Sequence, residues 1–487
     1  MALATAAPAG ATVPPPYPAL PSSVSASASR PAPASTLTWR DCESGQAECA
    51  TLRVPRDHDD PDAGMIPVAL LRLPATGNRR GALVVNPGGP GLPGRSYPLY
   101  LAQALPDEVL RSYDLIGFDP RGIGESTALR CQTDREMRGW FRADATPDDR
   151  DEIRRLAVLA GRIGEVCAER SPALLEHMGT DDVARDLEVL RRALGDARLS
   201  FLGLSYGSLL GAVYAGMYPQ RVGRMVLDGV VSPRLDQVSL TQGQIRGFDR
   251  ALRRMVDDCA RSPACPFGRQ DSAEILRRIN SLLERLDRRP LDSGSGLPLT
   301  QTEAVSGIIA GLYSPVSWDS TMLALARAVE GDGRDLASAG RGFLTGDATF
   351  LSAFYAVSCS DSPATPGTRE LSDWAAREAR RVAVPELARY LAWSVLPCTT
   401  WPTHRPKPFG RIDAAGAPPV LLVGTTYDPA TPLSWARSLA EDLDSARLLE
   451  YRADGHVAIS AGSSCISAVV GGYLTAGRLP REGGICR

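Results

Sequence analysis

Gly203-Leu204-Ser205-Tyr206-Gly207 sets a serine between two glycines in the pattern G-x-S-x-G. The chemistry that asks for this spacing is acyl transfer. A serine on a sharp strand-to-helix turn has a strained backbone, and small neighbours relieve the crowding there. The turn lifts the hydroxyl out of the sheet. It also aims the next backbone N–H, that of Tyr206, at the oxygen that becomes negative during attack. The five residues alone are a weak signal. Their setting strengthens it, because the apolar run LSFLGL precedes Ser205 and the helical run SLLGAVYAGMYP follows it. The bland alternative is an ordinary serine in a glycine-rich turn.

A serine hydroxyl needs a base within hydrogen-bond reach. The chain has four histidines. His58 lies in the acidic run DHDDPD, His177 precedes a helix, and His404 lies in a Pro-rich return segment. His456, in ADGHVA, follows the strand-like ARLLEY near the C-terminus and is the expected base. The acid that orients it is expected to be Asp428, in GTTYDPATP after the strand-like PVLLVG, which completes the order Ser…Asp…His. Its rival is Asp228 in VLDGVV, whose alternative role is to pin a loop. The second oxyanion donor is expected in Asn86-Pro87-Gly88-Gly89-Pro90-Gly91, where glycine permits close backbone approach. Gly89 is the preferred donor and Gly88 the fallback.

These residues must be carried by a sheet. Gly81–Asn86, Tyr113–Asp119, Leu199–Leu204, Gly223–Asp228 and Pro419–Gly424 are short, continuous apolar runs separated by helical ones. That pattern predicts a mostly parallel, doubly wound α/β sheet covered on both faces. One helix is legible in detail: Thr180 as N-cap, Val183, Leu187, Leu190 and Leu194 on one face, and Gly195 as the stop. Between about Ser232 and Arg405 the strand signal disappears and helical periodicity takes over. The expected organisation is a Pro/Ala-rich tail (1–36), a first core part (37–231), a helical cap (232–405) and a C-terminal core part (406–487).

Charge is nearly balanced, 54 basic against 56 acidic residues, with Lys407 the only lysine. No basic stripe marks a nucleic-acid binder, and no stretch is apolar and long enough for a membrane span. The ten cysteines form no CxxC pair or zinc-like cluster. Sequence order suggests five local bridges, 42–49, 131–167, 259–265, 359–398 and 465–486, although order alone leaves connectivity open. Oxidised pairs belong to exported proteins. The start, Met1 to Ser35, lacks the basic and apolar regions of a signal peptide, so the expectation is an export signal already removed.

In this order, NPGGPG, YDLIGFDPRGIGES, GLSYGS, RMVLDGVV, GTTYDPATP and DGHVA resemble the actinobacterial tripeptidyl aminopeptidases and their SlpD/SlpE-like relatives. These are α/β-hydrolases related to prolyl aminopeptidases. The resemblance runs from Trp39 to Cys486 and includes the cysteine pattern and a TAP-like C-terminal segment. It implies a secreted serine exopeptidase that releases short peptides, tripeptides foremost, from free N-termini through Ser205, Asp428 and His456, and that mechanism requires no cofactor or metal. Cap carboxylates of prolyl aminopeptidases hold the substrate ammonium, which makes Asp361 in AVSCSD the candidate here. A surface aspartate beside a disulfide is its plain alternative. The chain carries NPGGPG where prolyl aminopeptidases carry HGGPG, which leans toward the tripeptidyl branch. A carboxylesterase or small-molecule amidase with the same triad is the second reading. A non-catalytic binding protein on this fold is the third, and the complete triad argues against it.

Overall fold

A computed structural model describes residues 37–487 except 295, 345–347, 364 and 406. The expected tail, 1–36, lies outside the described residues. Ten strands form one sheet: β1 Arg40–Cys42, β2 Ala47–Pro55, β3 Met65–Leu73, β4 Gly81–Asn86, β5 Tyr113–Phe118, β6 Leu199–Leu204, β7 Val222–Asp228, β8 Val420–Tyr427, β9 Ala446–Asp454 and β10 Gly484–Cys486. Their order is β1-β2-β3-β5-β4-β6-β7-β8-β9-β10. The first pairings, β1–β2, β2–β3 and β3–β5, are antiparallel, and every pairing from β5 onward is parallel. The fold is the expected α/β-hydrolase sheet.

All five apolar runs become strands of the parallel part. β4 and β5 are buried at every residue, as a strand covered on both faces must be. Alternation along the strands feeds two separate cores. Val84, Ile116, Phe201, Leu227 and Leu422 face one side. Leu83, Val85, Leu202, Val226 and Leu421 face the other. The antiparallel β1, β2 and β3 were not individually foreseen. In β2, Leu52 and Val54 are buried while Thr51 and Arg53 are exposed, so the apolar signal is halved.

Six helices matter for the site: α1 Arg150–Arg170, α2 Thr180–Ala193, α3 Tyr206–Met217, α4 Gln237–Arg261, α5 Gln301–Leu312 and α6 Ala348–Ser360. From α4 to β8 the described chain contributes no strand to the sheet, and its helices bury a third core around Phe248, Leu252, Ile279 and Ile308. α1 joins two cores. Its Leu156 and Ala160 pack with the helical insertion, whereas Ile163 and Cys167 pack with the sheet.

One local expectation needs correction. Thr180 is not the N-cap of α2. Gly179 is, with no side-chain cap of its own, and Thr180 is the first helical residue. The orphan N–H of Thr180 is met from across the chain by Asp361 Oδ1 at 2.8 Å. A carboxylate from the insertion thus does the capping that the local sequence would assign to a threonine. Gly195, at φ 76°, ends the helix as expected. The ten cysteines form five disulfides, 42–49, 131–167, 259–265, 359–398 and 465–486, the pairs that sequence order suggests.

Candidate active site

β4 and β6 are neighbours, with Asn86 opposite Gly203, so the loops leaving their ends meet. Ser205 follows β6 and starts α3 with φ 56° and ψ −124°, a conformation that costs a non-glycine residue energy. The neighbours make room for it. A Cβ on Gly203 would stand 2.2 Å from Gly207 O, and one on Gly207 would stand 2.7 Å from Asn86 Oδ1. The backbone N–H of Ser205 donates to Asp228 O at 2.8 Å, which ties the turn to the end of β7.

The glycine loop presses against this turn. Gly88, Gly89 and Gly91 all have φ near +100°, a region open to glycine and costly for other residues. A Cβ on Gly88 would lie 3.1 Å from Tyr206 N. The N–H of Gly88 is already donated to Asn86 Oδ1 at 3.0 Å. Gly89 lines the same cavity as Ser205 and Tyr206.

Asp428 leaves the end of β8 and is fully buried. One oxygen accepts the N–H groups of Ala430 at 2.9 Å and Thr431 at 2.8 Å, and the other accepts Thr431 Oγ1–H at 2.8 Å. His456 Nδ1 lies 2.9 and 3.0 Å from the two carboxylate oxygens. Burial opposes a charge on His456, but the Asp428 carboxylate beside it and their hydrogen bond outweigh this, with help from Asp228. The imidazole pKa is raised above its ordinary value. Asp228 does not touch the ring. Its oxygens accept the backbone N–H groups of Ala458 at 3.0 Å and Ile459 at 2.8 Å, and burial pushes its pKa up to about 6 against those bonds. Through its carbonyl and carboxylate, Asp228 bonds both the serine turn and the histidine loop.

Above the turn, the cavity is walled by α4 and α6. Leu240, Thr241 and Gln244 come from α4, and Phe354 and Ser358 from α6. Asp361, just beyond α6, lines it too. Its oxygens accept Thr180 N–H at 2.8 Å and Thr180 Oγ1–H at 2.5 Å, and Thr180 Oγ1 also meets the hydroxyl of Tyr206. Burial pushes the Asp361 carboxyl up to about 7 despite both bonds. A carboxylate has about four acceptor positions, so the two bonds leave capacity for a ligand.

The C-terminal stretch 384–486 matches a family model described as TAP-like protein. That stretch holds Asp428 and His456, while Ser205 lies outside it. Over longer spans, the tripeptidyl aminopeptidase of Streptomyces lividans is 32% identical across 463 residues, 91% of this chain and 85% of that protein. The chain belongs to the tripeptidyl aminopeptidase family of α/β-hydrolases. Serine protease Hip1 of Mycobacterium tuberculosis is 33% identical over 485 residues, covering 92% of this chain and 91% of that protein. Carboxylesterase B of the same organism is 35% identical over 487 residues, covering 92% and 90%.

For a tripeptidyl aminopeptidase relative, three parts of this site were not singled out from sequence. Thr431 bonds the carboxylate of Asp428 and stands 3.2 Å from His456 Nδ1. Its position three residues after an aspartate in D-P-A-T is a signal that could have been used. Asp236, the N-cap of α4, lines the cavity as a second carboxylate. Tyr313, at the end of α5, accepts the backbone N–H of His456 at 2.8 Å and sets its ring edge-on to the imidazole, centroids 5.5 Å apart. Nothing local in the sequence marks Tyr313, because it reaches the histidine only through packing.

Proposed function

We propose that this chain is an exported serine exopeptidase that removes short peptides, tripeptides foremost, from free N-termini. It is a serine hydrolase, with Ser205 as nucleophile, His456 as general base and Asp428 as the acid that orients and stabilises the imidazolium. The carrying observation is the Asp428–His456 pair, with Asp428 fully buried, in a fold that sets Ser205 on a positive-φ turn lining the cavity. Ser205 Oγ attacks the peptide carbonyl as His456 Nε2 takes its proton. The N–H groups of Tyr206 and Gly89 receive the oxyanion. Gly89 is preferred over Gly88 because the Gly88 N–H is held by Asn86. His456 then protonates the leaving amine, and the acyl-enzyme is released by water that His456 activates.

Asp361 is the proposed partner of the substrate's ammonium group. Its partly buried carboxyl is raised by desolvation even with the Arg405 charge nearby, and an ammonium ion would supply a closer counter-charge. The α4–α6 wall belongs to the cap, taken as 232–405 between core parts 37–231 and 406–487. Five disulfides support an oxidising, extracellular setting. A carboxylesterase is the second reading, favoured by the 35% identity to carboxylesterase B.

The deciding experiment compares wild type with Ser205→Ala on chromogenic amides of Ala-Ala-Pro, Pro and Ala, the N-acetylated tripeptide amide, and a short-chain aryl ester. Ser205-dependent cleavage of the free tripeptide amide, lost on acetylation, is the expected result. Turnover of the ester alone would replace the peptidase reading with the esterase one.

A further inference from the structure

β8 and β9 deliver the acid and the base, and they part company where these residues sit. The β8–β9 register runs evenly to Thr425–Tyr451, then shifts before Tyr427 pairs with Asp454. Such an irregularity leaves the ladder locally disrupted. Asp428 directly follows Tyr427. His456 follows Asp454 with only Gly455 between them, at φ 105°. Strand pairing alone therefore holds the two segments least firmly where their relative placement matters most.

One side chain from the insertion bridges this gap. Arg254, on the last turns of α4, donates Nε–H to Asp454 Oδ1 at 2.5 Å and Nη2–H to Asp454 Oδ2 at 2.8 Å. The same guanidinium sits over Tyr427, its carbon 3.7 Å from the ring centroid. A planar, permanently charged fork can do both at once, which an ammonium cannot. α4 is itself seated on the acid segment. A Cβ on Gly247 would lie 2.2 Å from Pro429 O, and Gln244 Nε2 donates to Ala430 O at 3.2 Å. The stretch of α4 that lines the cavity lies about three turns before Arg254.

We infer that Arg254 is a positioning residue for the hydrolysis, clasping the segments of Asp428 and His456 from the insertion. The inference rests on the reading of Asp428 and His456 as the pair that serves Ser205. Arg254 touches neither substrate nor triad side chains. It acts through Tyr427 and Asp454, each within two residues of a triad member.

The test uses Arg254→Met, Arg254→Lys, Asp454→Asn and the Arg254→Met/Asp454→Asn double variant, with Ser205→Ala as control. Rates are divided by active-site concentration, titrated with a fluorophosphonate, so a loss of folded protein does not count as a loss of rate. Arg254→Met is expected to lower kcat roughly 10–100-fold with KM within about threefold, since small misplacements of reacting groups cost that much. The acidic limb of its kcat profile should move to lower pH as the Asp428–His456 contact loosens. Among the groups that face His456, Asp428, Asp228, Thr431 and Tyr313 are unchanged in this variant. Arg254→Lys should regain part of the rate, and the double variant should lose little beyond the worse single one. Should Arg254→Met fail to fold, Asp454→Asn carries the test, with a rate loss in the same direction. Single variants with kcat per titrated site within about twofold of wild type and an unmoved acidic limb would overturn the inference. If wild type shows no Ser205-dependent turnover, the triad reading itself falls and takes this role with it. The Ser205→Ala control separates that outcome from a failure of Arg254 alone.

Discussion

Thr431 shows how much the Asp428–His456 pair can rest on a neighbouring hydroxyl. Asp428 is fully buried, and its carboxylate is held by two backbone N–H groups, one hydroxyl and one imidazole. Removing the hydroxyl leaves a buried carboxylate short of a donor, and a hydrogen bond to a charged group is worth about 1.5–3 kcal/mol. Thr431→Val should therefore reduce kcat by roughly 10–100-fold at little cost in KM. Thr431→Ser should stay near wild type, and steady-state kinetics on one good substrate would check both. With His456 as the proposed base, its titration should set the pH dependence. Because Asp428 and Asp228 raise the His456 pKa, kcat/KM should fall on acidification with a midpoint above the ordinary histidine value of about 6.5. A flat profile through that range would remove His456 as the base.

At the scale of elements, α2 depends on a residue far away in the chain. Asp361 caps its first turn and also lines the cavity, so one carboxyl serves the helix and faces the candidate site. Its folded pKa, about 7, stands above the unfolded value of about 3.9. A raised folded value contributes stability that is full below the unfolded pKa and is lost as pH rises through the folded one. Wild type should thus lose stability between pH 5 and 8 relative to Asp361→Asn, whose amide cannot ionise, and thermal melts at both pH values would measure the difference. If Asp361 also receives the ammonium group, KM for a free tripeptide amide should improve as pH rises through about 7 in wild type but not in the variant. An aryl ester should show no such change in either protein.

At the scale of the molecule, three cores among the described residues and five disulfides share the work. The bridge 359–398 spans 39 residues and closes a loop within the insertion beside Asp361. Its cross-link removes loop entropy from the unfolded chain, worth roughly 3–4 kcal/mol for a loop of this size. Replacing both cysteines with serine should lower stability by about that amount in denaturant titrations, with a smaller effect for 259–265, which spans only 6 residues. Equal losses for the two pairs would show that packing, not chain entropy, dominates.

Much of the site is written locally. G-x-S-x-G between an apolar run and a helix, DPATP after a strand and GHV near the end are short-range patterns, because strand, turn and helix formation depend on neighbours a few residues apart. The parallel strands were legible for the same reason, since a strand buried on both faces is apolar throughout. β2 was harder to see because a half-buried strand keeps only alternate apolar residues, and β1 is only three residues long. Connections through space leave no such mark. Asp361 capping α2 in place of Thr180, Asp228 joining the serine turn to the histidine loop, Tyr313 holding the His456 backbone and Arg254 spanning two strands all pair residues far apart in the chain. Their partners are chosen by the packing of helices on the sheet. The sequence alone determined which residues could perform acyl transfer and the kind of sheet that carries them; tertiary structure decided what holds those residues in place.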